Sequence, residues 1–140
     1  MENKKFLIVF FLISLALFGC NSQTNKTDDE TLEDKYTFRT YDSQNRLIIY
    51  FFWQESCSAS NILKPILEEI ENSNSNVLLF KYEINNKDNK DFFNNISNIL
   101  NFNPASTPIT IIGNKTWVGY NEGIKDQITN QIIECIDNDC

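Results

Sequence analysis

The sequence contains no histidine, which removes at one stroke the commonest general base and the commonest metal ligand. Any chemistry must therefore come from carboxylates, hydroxyls, lysine or cysteine. No basic cluster occurs after the first few residues and the formal charge is -7, so nothing supplies the phosphate neutralisation that nucleic-acid binding requires. No apolar run reaches the roughly 20 residues of a bilayer-spanning helix. Cys-x-x-Cys is missing as well, which together with the lack of histidine argues against a bound metal; nothing in the sequence calls for a cofactor. Internal repeats and a second linker are also absent. What is present is enough for one compact core and too little for two: 140 residues, 41% of them apolar, with 11 Phe.

The first residues read as a targeting segment, with Lys4 and Lys5 ahead of the apolar run Phe6 to Phe18 and then Gly19 and Cys20. Leu17-Phe18-Gly19-Cys20 resembles a bacterial lipobox, which implies cleavage before Cys20 and lipidation of that cysteine. A cleaved secretory signal, or an uncleaved anchor with an incidental cysteine, remains the alternative. The stretch from Asn21 to Glu30 is polar without apolar periodicity, as expected of a solvated tether. The expected organisation is a signal peptide over 1–19, the lipidated cysteine and tether over 20–35, and one domain over 36–140. Such a chain is extracytoplasmic, and an acidic body beside an anionic leaflet is held by acyl chains and not by surface charge.

From Tyr36 the pattern changes to alternating strand-like and helix-like segments. Leu47 to Trp53 is a continuous β-branched and aromatic run, the mark of a strand buried on both faces. Ile62, Leu63, Ile66, Leu67 and Ile70 then recur at helical spacing. A strand over Val77 to Ile84 and a helix over Asp88 to Leu100 follow. Ile109 to Ile112 and Thr116 to Tyr120 are predicted to pair through Gly113-Asn114-Lys115 as a hairpin, and Ile124, Ile128, Ile132 and Ile136 mark a closing helix. A short strand at Tyr36 to Arg39 is a further expectation. The βαβ start implies a right-handed parallel crossover, and a central all-apolar strand requires helices on both faces of the sheet.

Cys57 lies where the first strand gives way to a helix. Unpaired backbone N–H groups and the helix dipole at such a place favour thiolate over thiol, so its pKa should fall below the free value of about 8.5. A small buried hydrophobe is the other reading, although the flanks Glu55, Ser56, Ser58 and Ser60 argue for exposure.

Trp53-Gln54-Glu55-Ser56-Cys57-Ser58-Ala59-Ser60 resembles the active-site turn of the thioredoxin superfamily, in which an aromatic residue ends a strand and Cys-x-x-Cys opens a helix. Pro65 matches the proline inside that helix, Thr107-Pro108 the cis-proline before the hairpin strand, and Gly119 or Gly123 the glycine near the last strand's end. The marks run in the family's order across residues 45 to 136. The resemblance implies an α/β, thioredoxin-like fold with a central mixed sheet flanked by helices on both faces. It also implies Cys57 as nucleophile, and a substrate-binding groove formed by Trp53, Ser60, Thr107 and Pro108. Thr107-Pro108 read without the family is an ordinary trans-proline opening an edge strand.

Two departures bear on activity. Ser60 stands in the place of the resolving cysteine, and a hydroxyl cannot clear a mixed disulfide as a second thiolate does. Phe51 stands where many thioredoxins carry a buried Asp, and Lys81, the match to that acid's lysine neighbour, is then expected at the surface. In this fold the final helix runs away from the active site, and the stretch from Gly123 to Cys135 spans about 18 Å at about 1.5 Å per residue, beyond disulfide reach. Cys135 and Cys140 are accordingly read as a local disulfide at the C-terminus. The expected function is thiol–disulfide exchange or isomerisation through one cysteine, on cysteine-containing or unfolded exported proteins. The alternative is a non-catalytic lipoprotein that acts as a chaperone or binding module.

Overall fold

The computed structural model describes residues 36–138 and 140. The expected signal peptide, the lipidation site Cys20 and the tether lie outside the described residues. Seven elements follow in order: strand β1 (Leu47–Trp53), helix α1 (Ser58–Ser73), strand β2 (Val77–Glu83), helix α2 (Lys87–Leu100), strands β3 (Ile109–Ile112) and β4 (Lys115–Val118), and helix α3 (Glu122–Asn138). No helix among the described residues is long and apolar enough to cross a membrane.

The four strands form one mixed sheet in the order β2-β1-β3-β4. β1 runs parallel to β2 and antiparallel to β3, and β3 pairs antiparallel with β4. β1 is central because it can be: six of its seven residues are buried, and side-chain alternation divides them between two cores. Leu47, Ile49 and Phe51 point to the face where Leu63 and Leu67 of α1 meet Ile128 and Ile132 of α3. Ile48, Tyr50 and Phe52 point to the opposite face, against Phe92, Phe93 and Ile96 of α2. Each such side chain contributes about 1.5–3 kcal/mol by leaving water. The second core is aromatic, with Phe52 and Phe93 ring centroids 4.7 Å apart and Phe52 and Tyr82 5.1 Å apart.

The strand expected at Tyr36 to Arg39 does not form. That segment is an arm held by side chains: the buried Tyr50 hydroxyl accepts from the Arg39 N–H at 2.8 Å and faces the carbonyls of Thr37 and Arg39 at 3.1 and 2.8 Å. Burial pushes that hydroxyl's pKa up to about 12. Tyr50 thus takes up backbone groups that a neighbouring strand would otherwise satisfy. In backbone pairing the arm meets β1 through an isolated bridge, Tyr41 to Leu47, with the Ile48 N–H donating to the Thr40 carbonyl at 2.9 Å. The hairpin turn is also shorter than expected. Ile112 pairs with Lys115, leaving Gly113-Asn114 as a two-residue turn, and Gly113 takes φ +57°, as such turns favour.

The edge of β2 is covered in part by α1, since the Glu71 carboxylate accepts from the Leu79 N–H at 2.7 Å. Lys81 is on the surface, paired with Glu68 at 2.8 Å, and Phe51 is fully buried.

Candidate active site

The sulfur of Cys57 sits where the central strand ends and α1 begins. Cys57 is the N-cap residue of α1, with extended backbone (φ -93°, ψ 114°) and no side-chain cap hydrogen bond. The N–H groups of the first turn are unpaired by geometry, and those of Ser60 and Ala59 lower the pKa of the Cys57 thiol. No acidic residue lies in that turn, so nothing competes for them.

The Ser60 hydroxyl, next to that sulfur, is the largest cause of the lowered pKa of the Cys57 thiol. Burial works against it, while the backbone N–H of Ser60, the Thr107 side chain and the backbone N–H of Ala59 act in the same direction as the hydroxyl. Ser60 is 0% exposed and its Oγ has no hydrogen-bond partner in good geometry. These two facts fit together once protonation is considered. A neutral thiol is a poor acceptor, whereas a thiolate is a strong one, so the idle hydroxyl is matched to the ionised sulfur. Ser60, expected in the substrate-binding groove, is thus buried next to the thiol.

The opposite wall is the Thr107-Pro108 loop. The peptide bond between them is cis, Pro108 is buried and Thr107 half-buried. The thiol of Cys57 donates to the Thr107 carbonyl at 3.2 Å. Behind the loop, Gly119 (φ +80°) donates its N–H to the Pro108 carbonyl at 2.7 Å, which ties β4 to the site and identifies Gly119, not the helical Gly123, as the glycine beside it. Trp53 is half-buried at the end of β1, with the Lys64 ammonium 4.3 Å from its ring centroid.

Three residues that the sequence did not single out complete the rim. Thr107 Oγ1 donates to Gln54 Oε1 at 3.2 Å, and Gln54 Nε2 donates to Asn85 Oδ1 at 3.2 Å. Asn85 in turn donates through Nδ2 and its backbone N–H to the Glu83 carboxylate at 2.6 and 3.0 Å. All three lie in loops or at a strand end, where no periodicity marks them.

Cys135 and Cys140 are joined by a disulfide, with Cα atoms 4.7 Å apart, and Cys57 is the free cysteine among the described residues. The bridge is braced by Tyr41, whose hydroxyl donates to the Cys135 carbonyl at 2.9 Å and accepts from the Cys140 N–H at 2.8 Å. No group of three or more His, Cys, Asp or Glu suited to a metal occurs among the described residues. A separate open groove of about 400 Å³ lies between β4 and α3, lined by Lys115, Trp117, Gln131 and Glu134 among others; the Cys57 rim takes no part in it.

No protein-family profile and no curated protein matches the sequence. Solved structures do. Thioredoxin O2 from Arabidopsis thaliana, in its oxidised state, superposes with a TM-score of 0.52 at 16% identity, over 71% of this chain and 84% of that one. Thioredoxin from Plasmodium falciparum gives 0.45 at 22% identity over 64% and 84%. A glutaredoxin from Archaeoglobus fulgidus gives 0.42 at 19% over 57% and 84%. With the strand order and the helices on both faces, the likeness establishes that the chain has the fold of the thioredoxin superfamily.

Proposed function

We propose that this protein carries out thiol–disulfide exchange through a single cysteine, Cys57, as an extracytoplasmic protein anchored by a lipid on Cys20. The observation that supports the chemistry best is the buried, otherwise idle Ser60 hydroxyl beside a partly accessible sulfur at a helix N-terminus. A thiolate so stabilised attacks one sulfur of a substrate disulfide. The S–S bond breaks, a Cys57 mixed disulfide forms, and the other sulfur departs as a thiolate. With Ser60 in place of a second thiol, resolution falls to an external thiol or to another cysteine of the substrate, which regenerates Cys57 and suits isomerisation or reduction better than oxidation. Trp53 and the Thr107-Pro108 loop flank the sulfur, where substrate backbone would lie.

The test is the rate of alkylation against pH for the protein and for Cys57→Ser. The expected profile has an inflexion below that of free cysteine, absent in the variant. An inflexion at or above the free value would remove the activated thiol. Trapping in cells separates exchange from the rival reading, a thioredoxin-fold chaperone or binding module: covalent partners lost in Cys57→Ser support exchange, and association that survives the substitution supports the module.

A further inference from the structure

The hydroxyl of Thr107 carries one hydrogen, and the structure shows where it goes. Glu83 ends a chain of side chains, and a carboxylate can only accept. Asn85 must therefore turn its Nδ2 toward Glu83 and its Oδ1 toward Gln54. Gln54 must in turn present Nε2 to Asn85 and Oε1 to Thr107. The polarity set at Glu83 thus passes along two amides and fixes Thr107 Oγ1 as a donor to Gln54.

We propose that Gln54 is a positioning residue for Cys57, which acts by holding the single hydrogen of the Thr107 hydroxyl on its own carbonyl oxygen and so competing for it with the sulfur. The inference rests on the reading of Cys57 as the reactive group. Its consequence is a thiolate stabilised by Ser60 and by backbone N–H groups in full, and by the Thr107 hydroxyl only in part. A sulfur with every neighbouring donor committed to it would ionise more readily but attack less strongly, because nucleophilicity falls with pKa. Gln54 therefore trades ionisation for reactivity.

The charged groups of the neighbouring elements leave this reading intact. Glu55 shares the loop of Cys57, Lys64 of α1 is occupied over the Trp53 ring, Glu83 of β2 is the end of the chain itself, and residues 101–110 before and into β3 carry no charge. None of them is among the causes of the Cys57 shift.

The experiment is the pH profile of alkylation of the full chain in four forms: wild type, Gln54→Ala, Thr107→Val and the double variant. Gln54→Ala should lower the inflexion by about half a pH unit, equivalent to about threefold more thiolate at a pH below both inflexions. Asn85→Ala, which leaves the Gln54 amide free to turn, should move it the same way. In the Thr107→Val background Gln54→Ala should have no effect, because no hydroxyl is left to release. A Gln54→Ala profile that coincides with wild type or moves upward overturns the proposal, as does a downward shift that persists without the hydroxyl. A wild-type inflexion at or above that of free cysteine would instead overturn the reactive-thiol reading, while the difference between profiles still reports on Gln54.

Discussion

The Thr107 carbonyl oxygen lies 3.2 Å from the sulfur of Cys57 and receives its proton. That contact favours the thiol, since an ionised sulfur beside a carbonyl oxygen is repelled, whereas the Ser60 hydroxyl and the N–H groups of Ala59 and Ser60 favour the thiolate. The direction of the shift shows that the donors prevail. Ionisation also releases the Thr107 carbonyl, which then needs another donor. On the proposed function an extended substrate backbone would supply one, so that loss of the thiol proton and the docking of a peptide would favour each other.

Ser60→Ala separates reactivity from stability. Removing the hydroxyl should raise the Cys57 inflexion by about 1–2 pH units, the scale of one hydrogen bond to a charged group. Folding stability should rise by up to about 1 kcal/mol in the thiol form, because a buried hydroxyl without a partner is costly. Alkylation profiles and urea unfolding at a pH below the inflexion report the two effects.

Thr110→Val tests the same cost away from the sulfur. Thr110 is 1% exposed and its Oγ1 has no partner, and valine has nearly its shape. The variant should gain about 1 kcal/mol in urea unfolding and leave the Cys57 profile where it was.

Cys140→Ser should destabilise the domain by about 2 kcal/mol, as expected for opening so short a loop. Tyr41→Phe removes the hydroxyl that joins both cysteines to the arm and should cost about 1 kcal/mol by itself. The two losses should combine to less than their sum, since Tyr41 braces the bridge. Denaturant midpoints of the single and double variants measure this.

Asp42 sets the low-pH behaviour of the arm. Its burial raises the carboxyl pKa, but the Arg46 N–H and guanidinium and the Gln44 N–H outweigh it, so the group lies below the usual carboxylate range. A depressed folded pKa gives stability that is present above the unfolded value of about 3.9 and is lost as pH falls through the folded one. Asp42→Asn should therefore cost about 1 kcal/mol at neutral pH, with a difference from wild type that shrinks below about pH 4. Unfolding midpoints at pH 7 and pH 3 test it.

The sheet and its helices were legible in the sequence because each is written in a repeating pattern. β1 reads as apolar throughout and lies at the centre, and the Ile spacing of α3 is the stripe that meets Ile49 and Phe51. The Tyr36 arm misled because its aromatics look strand-like, while the group that decides its conformation, the Tyr50 hydroxyl, is remote in sequence. Cys57, Ser60 and Thr107-Pro108 could be placed from the resemblance. Gln54 and Asn85 could not, since their part depends on a carboxylate brought near only by the pairing of Trp53 with Glu83.

A serine at position 60 also changes what kind of quantity this protein's oxidation state is. A domain with two neighbouring thiols closes its own ring, and its half-oxidised point does not depend on how much protein is present. Here, among the described residues, an oxidised Cys57 must carry a second molecule with it. The fraction oxidised therefore follows the ratio of that second molecule's disulfide to its thiol, and regenerating Cys57 takes an attacking thiol that leaves as part of a disulfide, so that dilution alone changes nothing.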